Sequence, residues 1–63
     1  MKLIELVNVI DIDSDVNISF NYETVFDGKI HMLVPSQFSF KMLESKVKNV
    51  WYSPIYKRIM IEV

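Results

Sequence analysis

The chain has 63 residues, a formal net charge of −1, one histidine and no cysteine. This length allows a single domain, residues 1–63, which buries only about 60% of its unfolded surface on folding. Domains this small commonly need a disulfide, a metal or a partner chain for stability. The missing cysteine excludes disulfides and thiolate metal sites, and one histidine does not make a zinc site. Self-association therefore remains, and we expect a homodimer or a higher oligomer.

The composition also bears on the class and location of the protein. Hydrophobic residues make up 51% of the chain and charged residues 24%, which excludes disorder. No stretch reaches the ~18 consecutive apolar residues of a membrane span. The first residues lack the apolar segment and cleavage site of a signal peptide. We therefore expect a cytoplasmic protein with no membrane partner.

The first predicted element is a helix over residues 2–10. Its apolar residues recur at i, i+3, i+4 and i+7 from Leu3, which is the spacing of one helical face. Several of them are β-branched and lower the helix propensity, so a first strand is the alternative. Residues 13–15 then favour a turn, because short polar side chains compete for backbone hydrogen bonds.

The next two predicted elements form a hairpin. Residues 16–20 alternate apolar and polar side chains, as in a half-buried strand, and residues 24–32 form a second strand. Gly28 lies inside the second strand and indicates a bulge or a close backbone approach.

The second half of the chain is predicted to repeat the helix-then-hairpin order. Pro35 suits the first turn of a helix, so we expect a helix or irregular turn between residues 36 and 44. Strands over residues 47–53 and 57–63 follow, joined around Pro54.

The predicted fold is a small α+β domain of order α-β-β-α-β-β, whose antiparallel sheet is covered on one face by helix. The uncovered face gives a second reason to expect self-association. Two such sheets can stack face to face, or their edge strands can join across a two-fold axis.

An opening Leu/Ile/Val helix is followed by DIDSDV at residues 11–16, VFDGKI at 25–30, VKNV at 47–50 and IMIEV at 59–63. In these features, which cover most of the chain, the arrangement resembles short accessory proteins encoded by phages and prophages of Gram-positive bacteria. The resemblance implies a mobile-element protein working in the host cytoplasm. Some proteins of this class inhibit host defence systems by direct binding. These motifs are turns and strands, and the resemblance supplies no catalytic residue.

The residues that could carry chemistry do not form a recognisable catalytic or metal site. Asp11, Asp13 and Asp15 have the spacing of a calcium loop, but Val16 and Tyr22 stand where that loop needs glycine and glutamate. The single histidine has no nucleophile or acid partner in a known motif. We therefore predict no enzyme, no metal and no cofactor. The three aspartates are interpreted as a solvated turn or an acidic patch for a basic partner.

Charge is spread unevenly along the chain. Residues 1–31 carry six acidic residues against two lysines, whereas residues 32–63 carry two acidic residues against five basic ones. This asymmetry could steer a partner or pair two copies. It disappears, however, if strands from the two halves interleave in the fold.

Residues 46–58 combine four cations with three aromatic side chains. Tryptophan, tyrosine and arginine dominate the hot spots of protein interfaces, and the same mixture suits single-stranded nucleic acid. The plainest alternative is that Trp51 fills the core. A near-zero net charge disfavours a dedicated nucleic-acid binder, for which a basic domain is expected.

The leading hypothesis is a non-catalytic protein that binds and inhibits or modulates a host protein. The alternatives are a small nucleic-acid-binding regulator, which uses a basic and aromatic C-terminal hairpin, and a structural subunit of a larger particle. The predicted partner-binding residues are Trp51, Tyr52, Tyr56, Lys57 and Arg58, with Asp11, Asp13 and Asp15 as a second patch.

Overall fold

The computed structural model describes residues 1–33 and 40–63. The elements in chain order are α1 (Leu3–Val7), β1 (Asp15–Phe20), β2 (Glu23–Lys29), a 3-10 helix (Ile30–Met32), α2 (Phe40–Leu43), β3 (Asn49–Ser53) and β4 (Arg58–Glu62). The order of helices and strands matches the predicted α-β-β-α-β-β, with the 3-10 helix added. The predicted helix or turn over residues 36–44 lies partly outside the described residues, and α2 is its described part.

The four strands form one mixed sheet in the order β2-β1-β4-β3. β1 pairs antiparallel with β2 and β3 pairs antiparallel with β4, so each hairpin is antiparallel. The central pair, β1 and β4, is parallel, with Val16 beside Ile59 and Ile18 beside Ile61. The prediction of an antiparallel sheet is therefore wrong for this pair. The two most deeply buried strands occupy the centre, and the chain between β2 and β3 crosses from one sheet edge to the other.

The core lies between one face of the sheet and α1. Its buried residues are Leu3, Val7, Val16, Ile18, Ile30, Ile61 and Val63. Val16 and Ile18 of β1 and Ile61 of β4 alternate with residues on the other sheet face, because successive side chains of a strand point to opposite faces. Phe20 and Ile59 lie on the same face and are partly buried against this core. The other sheet face, called here the open face, carries the alternate residues of each strand.

The first helix is shorter than predicted. It buries Leu3 and Val7 but ends at Val7 instead of residue 10. The Val9 N–H then donates to the carbonyl oxygen of Leu6 at 3.1 Å in a turn. β-branched residues at the end of this segment lose side-chain freedom in a helix, which accounts for the early end.

Backbone hydrogen bonds tie the start of the chain to the segment after α2. The Leu3 N–H donates to Ser45 O at 2.9 Å, and the Val47 N–H donates to Met1 O at 2.8 Å. An ion pair between the ammonium of Lys2 and the carboxylate of Glu44 adds to this link. The two helices are thus joined through their flanking residues.

The β1–β2 hairpin turns through two residues with positive φ, Asn21 at 51° and Tyr22 at 67°. The register between the strands shifts after Ile18, which leaves Val25 as an extra residue in β2. The prediction of a bulge at Gly28 is therefore wrong, because Gly28 pairs in register with Val16 and the bulge lies at Val25. Gly28 itself has a φ of 149°, a backbone conformation that L residues rarely adopt.

The second strand also ends earlier than predicted. It stops at Lys29, and residues 30–32 form the 3-10 helix instead. The Ile30 N–H donates to Ser14 O and the His31 N–H donates to Ile12 O, both at 3.0 Å. The loop before β1 thus draws the chain out of the sheet. The histidine interpreted as a strand residue lies in this 3-10 helix and is exposed.

Candidate protein-binding surface

The β3–β4 hairpin carries its aromatic side chains at the surface. Trp51 is 47% exposed, Tyr52 61%, Ile55 84% and Tyr56 64%. The alternative in which Trp51 fills the core is therefore wrong. The core needs no tryptophan, because aliphatic side chains of β1, β4 and α1 fill it.

The two adjacent aromatic residues of β3 point to opposite faces of the sheet. Trp51 stands beside Met60 on the open face, whereas Tyr52 stands beside Ile59 on the core side. Both stay exposed because β3 is an edge strand and α1 packs over the centre of the sheet. Trp51 and Tyr52 therefore share a sheet edge but do not form one flat patch.

Arg58 is placed on the open face by an ion pair. Its Nε lies 3.0 Å from Oδ1 of Asp27, although the N–H does not point at the carboxylate well enough for a hydrogen bond. Asn17 Nδ2 donates to the other oxygen, Asp27 Oδ2, at 2.9 Å. Arg58 Nη1 donates to the carbonyl oxygen of Tyr56 at 3.0 Å. The guanidinium is thus half-buried, and an acidic neighbour partly neutralises its charge.

These residues line a shallow cavity of about 290 Å³ on the open face. Thr24 and Met60 complete its wall. Asn17 donates to Asp27, and Arg58 forms an ion pair with Asp27, although its Nε makes no hydrogen bond. This one unsatisfied N–H does not define a small-molecule site, and we assign no chemistry to the cavity.

Lys57 lies in the hairpin turn and is exposed. Its φ of 54° is in the left-handed region, which directs the chain back into β4. The parallel register of β1 and β4 puts this turn at the same end of the sheet as the loop before β1. The two predicted patches, the hairpin and the acidic loop, thus share one end of the molecule.

The three aspartates of the predicted acidic patch are exposed and serve local structure. Asp11 Oδ1 accepts a hydrogen bond from the Asp13 N–H at 2.8 Å, which closes the predicted turn. Asp15 Oδ1 lies 3.7 Å from the ammonium of Lys29. Over residues 1–33 and 40–63, no group of three or more acidic or histidine side chains could hold a metal ion.

The acidic and basic halves of the sequence interleave in the fold. Asp27 of the first half pairs with Arg58 of the second, and Lys2 of the first pairs with Glu44 of the second. The hydrogen bond and charge of Glu44 raise the pKa of Lys2 above its usual value of 10.5. The uneven charge of the sequence therefore does not become two separate surfaces.

Sequence reasoning missed some exposed apolar residues. Ile55 lies in the predicted connection between the last two strands, and its position after Pro54 was the available sign that its side chain is exposed. Ile12 and Met32 are also more than half exposed. Ile12 lines a mostly apolar cavity of about 260 Å³, together with Ile4 and Ile10. The apolar pattern that continues past the end of α1 could have indicated this cavity.

The fold and this surface define a small α+β protein with a mixed sheet and an exposed aromatic hairpin. A comparison with models of known families, with curated proteins and with solved structures finds no match. The likeness to phage and prophage accessory proteins therefore stays a prediction. Within the described part of the chain, none of the helices has the length and apolar character that crossing a membrane requires.

Proposed function

We propose that this protein is a non-catalytic binding protein that recognises another protein through its β3–β4 hairpin. The observation that carries the proposal is the run of exposed side chains at Trp51, Tyr52, Ile55 and Tyr56. Single exposed apolar residues are ordinary, but a cluster of them marks an interaction site. Tyrosine and tryptophan bind partners well because they bury a large area and keep a polar group for a hydrogen bond.

The charges of the hairpin favour a protein over a nucleic acid. Arg58 is held by Asp27, so it is not free to contact a phosphate without breaking that ion pair. Trp51 and Tyr52 point to opposite faces, so bases of one strand laid across a single face cannot stack on both. The alternative that the test must separate is a small nucleic-acid-binding regulator that uses Lys46, Lys48, Trp51, Tyr52, Lys57 and Arg58.

The resemblance to phage and prophage accessory proteins supplies the setting of the proposal. In that setting the protein is a homo-oligomer in the host cytoplasm, and it inhibits or modulates a host protein by covering part of that protein's surface. No catalytic residue is required for such an effect. The exposed hairpin is the part of the chain that we assign to the host protein.

The test is capture of partners from a Gram-positive host extract by the wild-type chain and two variants. Tyr56→Ala removes an exposed aromatic ring from the hairpin turn. Tyr22→Ala removes a ring that is even more exposed, 89% against 64%, from the β1–β2 turn at the opposite end of the sheet, and is the matched control. We expect Tyr56→Ala to lose the captured protein and Tyr22→Ala to keep it.

The salt dependence of the captured complex separates the two functions. Phosphate contacts make affinity fall steeply with salt, whereas an aromatic protein interface responds little. A complex that survives Tyr56→Ala, or one that contains nucleic acid and dissociates as salt rises, contradicts the proposal.

A further inference from the structure

The two edges of the sheet differ in how well they are protected from pairing. β2 carries a bulge at Val25 and charged residues at Glu23, Asp27 and Lys29. Bulges and charges are the usual means by which proteins prevent edge strands from pairing. β3 has no bulge and no charged residue over Asn49–Ser53, which pairs with β4 in unbroken register between Lys48 and Pro54. The sheet therefore has one edge that is open to another strand.

The hydrogen bonds of β4 show which groups of β3 point outward. The Val63 N–H donates to Ser19 O on β1 at 2.9 Å, and Glu62 O accepts from the Lys48 N–H at 2.8 Å. Glu62 therefore turns its main-chain groups toward β3, where Asn49 stands beside it. Because these groups alternate along a strand, those of Val50 and Tyr52 point away from β4.

Only β4 pairs with β3 among residues 1–33 and 40–63. The side chains of this edge are exposed as well, with Val50 at 48% and Tyr52 at 61%. An edge with outward-pointing N–H and C=O groups and apolar side chains is a template for a further strand.

We infer that the added strand is β3 of a second copy of this chain, antiparallel about a two-fold axis at Trp51. This inference rests on the homo-oligomer part of the proposed function and gives it a geometry. The outward N–H and C=O groups of Val50 in each copy then form hydrogen bonds with those of Tyr52 in the other copy. The result is one continuous eight-stranded sheet. Its new hydrogen bonds use the main-chain edge of β3, while the rings of Trp51 and Tyr52 stay on the two faces, so these faces and the hairpin turn remain for the host protein.

The side chains that this register brings together are compatible. Val50 faces Tyr52 of the second copy, an aromatic and β-branched pair of the kind that stabilises sheets. Asn49 faces Ser53 of the second copy. Lys48 faces Pro54 of the second copy, so no like charges are opposed across the seam. A foreign strand would need to supply this complementarity, whereas the chain already contains it.

The single open edge also limits the assembly to two copies. Because β2 is protected, pairing at β3 uses the same surface on both chains and closes after one contact. Two strands of five residues bury less than the ~1,200 Å² of a standard interface. The dimer is therefore expected to dissociate on dilution.

The absence of native cysteine allows a register-specific cross-linking test. At the axis, the two copies of residue 51 are a non-hydrogen-bonded pair with Cα atoms about 4.5 Å apart, which suits a disulfide. Trp51→Cys is expected to form a disulfide-linked dimer on mild oxidation. Asn49→Cys alone is expected to stay uncross-linked, because the two copies of residue 49 are about 13 Å apart.

A mixture of two variants keeps the tryptophan and tests the same register. Asn49→Cys and Ser53→Cys face each other across the seam, so their mixture is expected to form a mixed disulfide that neither forms with itself. The proposed register is overturned if Asn49→Cys cross-links with itself. It is also overturned if no disulfide forms either in the mixture or with Trp51→Cys.

Light scattering across a dilution series tests the dimer itself. The wild-type chain is expected to fall from twice the chain mass to one chain mass on dilution. Tyr52→Lys puts a charge on the edge and is expected to be monomeric throughout, whereas Tyr22→Lys in the β1–β2 turn should follow the wild type. A monomer at millimolar concentration, or a dimer that Tyr52→Lys leaves intact, overturns the inference. Both experiments use the purified chain alone, so they can fail while the host-protein capture succeeds.

Discussion

Arg58 of β4 reaches across β1 to Asp27 of β2, and its Nε lies 3.0 Å from Oδ1 of that carboxylate. β1 separates these two strands, so the arginine and aspartate side chains together bridge about two strand spacings of ~4.8 Å. Asn17 of β1 donates to the same carboxylate from the strand between them. Asp27 thus contacts side chains of two other strands on the open face, beside the β3–β4 turn.

Separating Asp27 from Arg58 is expected to cost little stability. Both side chains are about one-third to two-fifths exposed, so solvent screens the pair. A double-mutant cycle with Asp27→Asn and Arg58→Gln should give a coupling free energy of about 0.2–1 kcal/mol in urea unfolding. Asp13→Asn, in the loop before β1, is the control and should leave stability unchanged. A coupling of zero would show that the ion pair does not join the strands in solution.

Replacing Tyr22 by glycine is expected to stabilise the protein. The β1–β2 turn needs positive φ at both residues, and a non-glycine residue there is disfavoured by about 1–2 kcal/mol. Part of this gain is lost to the greater freedom of glycine in the unfolded chain. We expect a net gain of up to about 1 kcal/mol, which raises the Tm by roughly 4–8 °C.

The control for this prediction is Tyr56→Gly. Tyr56 is also an exposed turn tyrosine, but it is not among the positive-φ residues. Tyr56→Gly should therefore be no more stable than the wild type. Equal melting temperatures for wild type and Tyr22→Gly would mean that the turn is not strained.

The hairpins could be predicted from the sequence because their signals are local. Residues 16–20 and 57–63 alternate apolar and polar side chains, and this period of two fixes both the strand and the face each side chain takes. The parallel pairing of β1 with β4 has no such signal. This pairing depends on the position at which the chain after β2 returns to the sheet. That position depends in turn on which strands bury the most apolar surface.

The candidate site shows the same division. That Trp51 and Tyr52 point to opposite faces follows from their being neighbours in a strand. The sequence does not predict that Trp51 is exposed, because an aromatic residue in a small domain is as much expected in the core as at the surface. The pairing of Asp27 with Arg58 could not be predicted either, since it requires the strand order.

Gly28→Ala is expected to destabilise the protein by about 1–3 kcal/mol through the backbone. There is room for the added methyl group, because the nearest atom, Phe26 Cζ, would lie 3.7 Å away. The φ of 149° is the obstacle, since an L residue must distort to adopt it. Urea unfolding measures the loss, with Glu23→Ala, an exposed residue of the same strand without positive φ, as the control. An alanine variant as stable as the wild type would show that this strand relaxes freely.

The ion pair of Lys2 with Glu44 predicts a loss of stability at alkaline pH. The hydrogen bond and charge of Glu44 raise the pKa of Lys2 in the folded state above the unfolded value of 10.5. A raised pKa means that the folded state holds the proton more tightly. The contribution is therefore complete below about pH 10.5 and is lost as the pH rises through the folded pKa.

Lys2→Arg isolates this effect, because arginine keeps its charge across the whole range. Urea midpoints should be measured for both proteins from about pH 8 to about pH 12. The difference should stay constant at the lower pH values and then grow in favour of the arginine variant. Lys48→Arg is the control, since Lys48 has no ion pair among the described residues. Tyrosine ionisation affects all three proteins alike, so a difference that stays flat up to the highest pH would mean that Lys2 does not hold the chain start to the segment after α2.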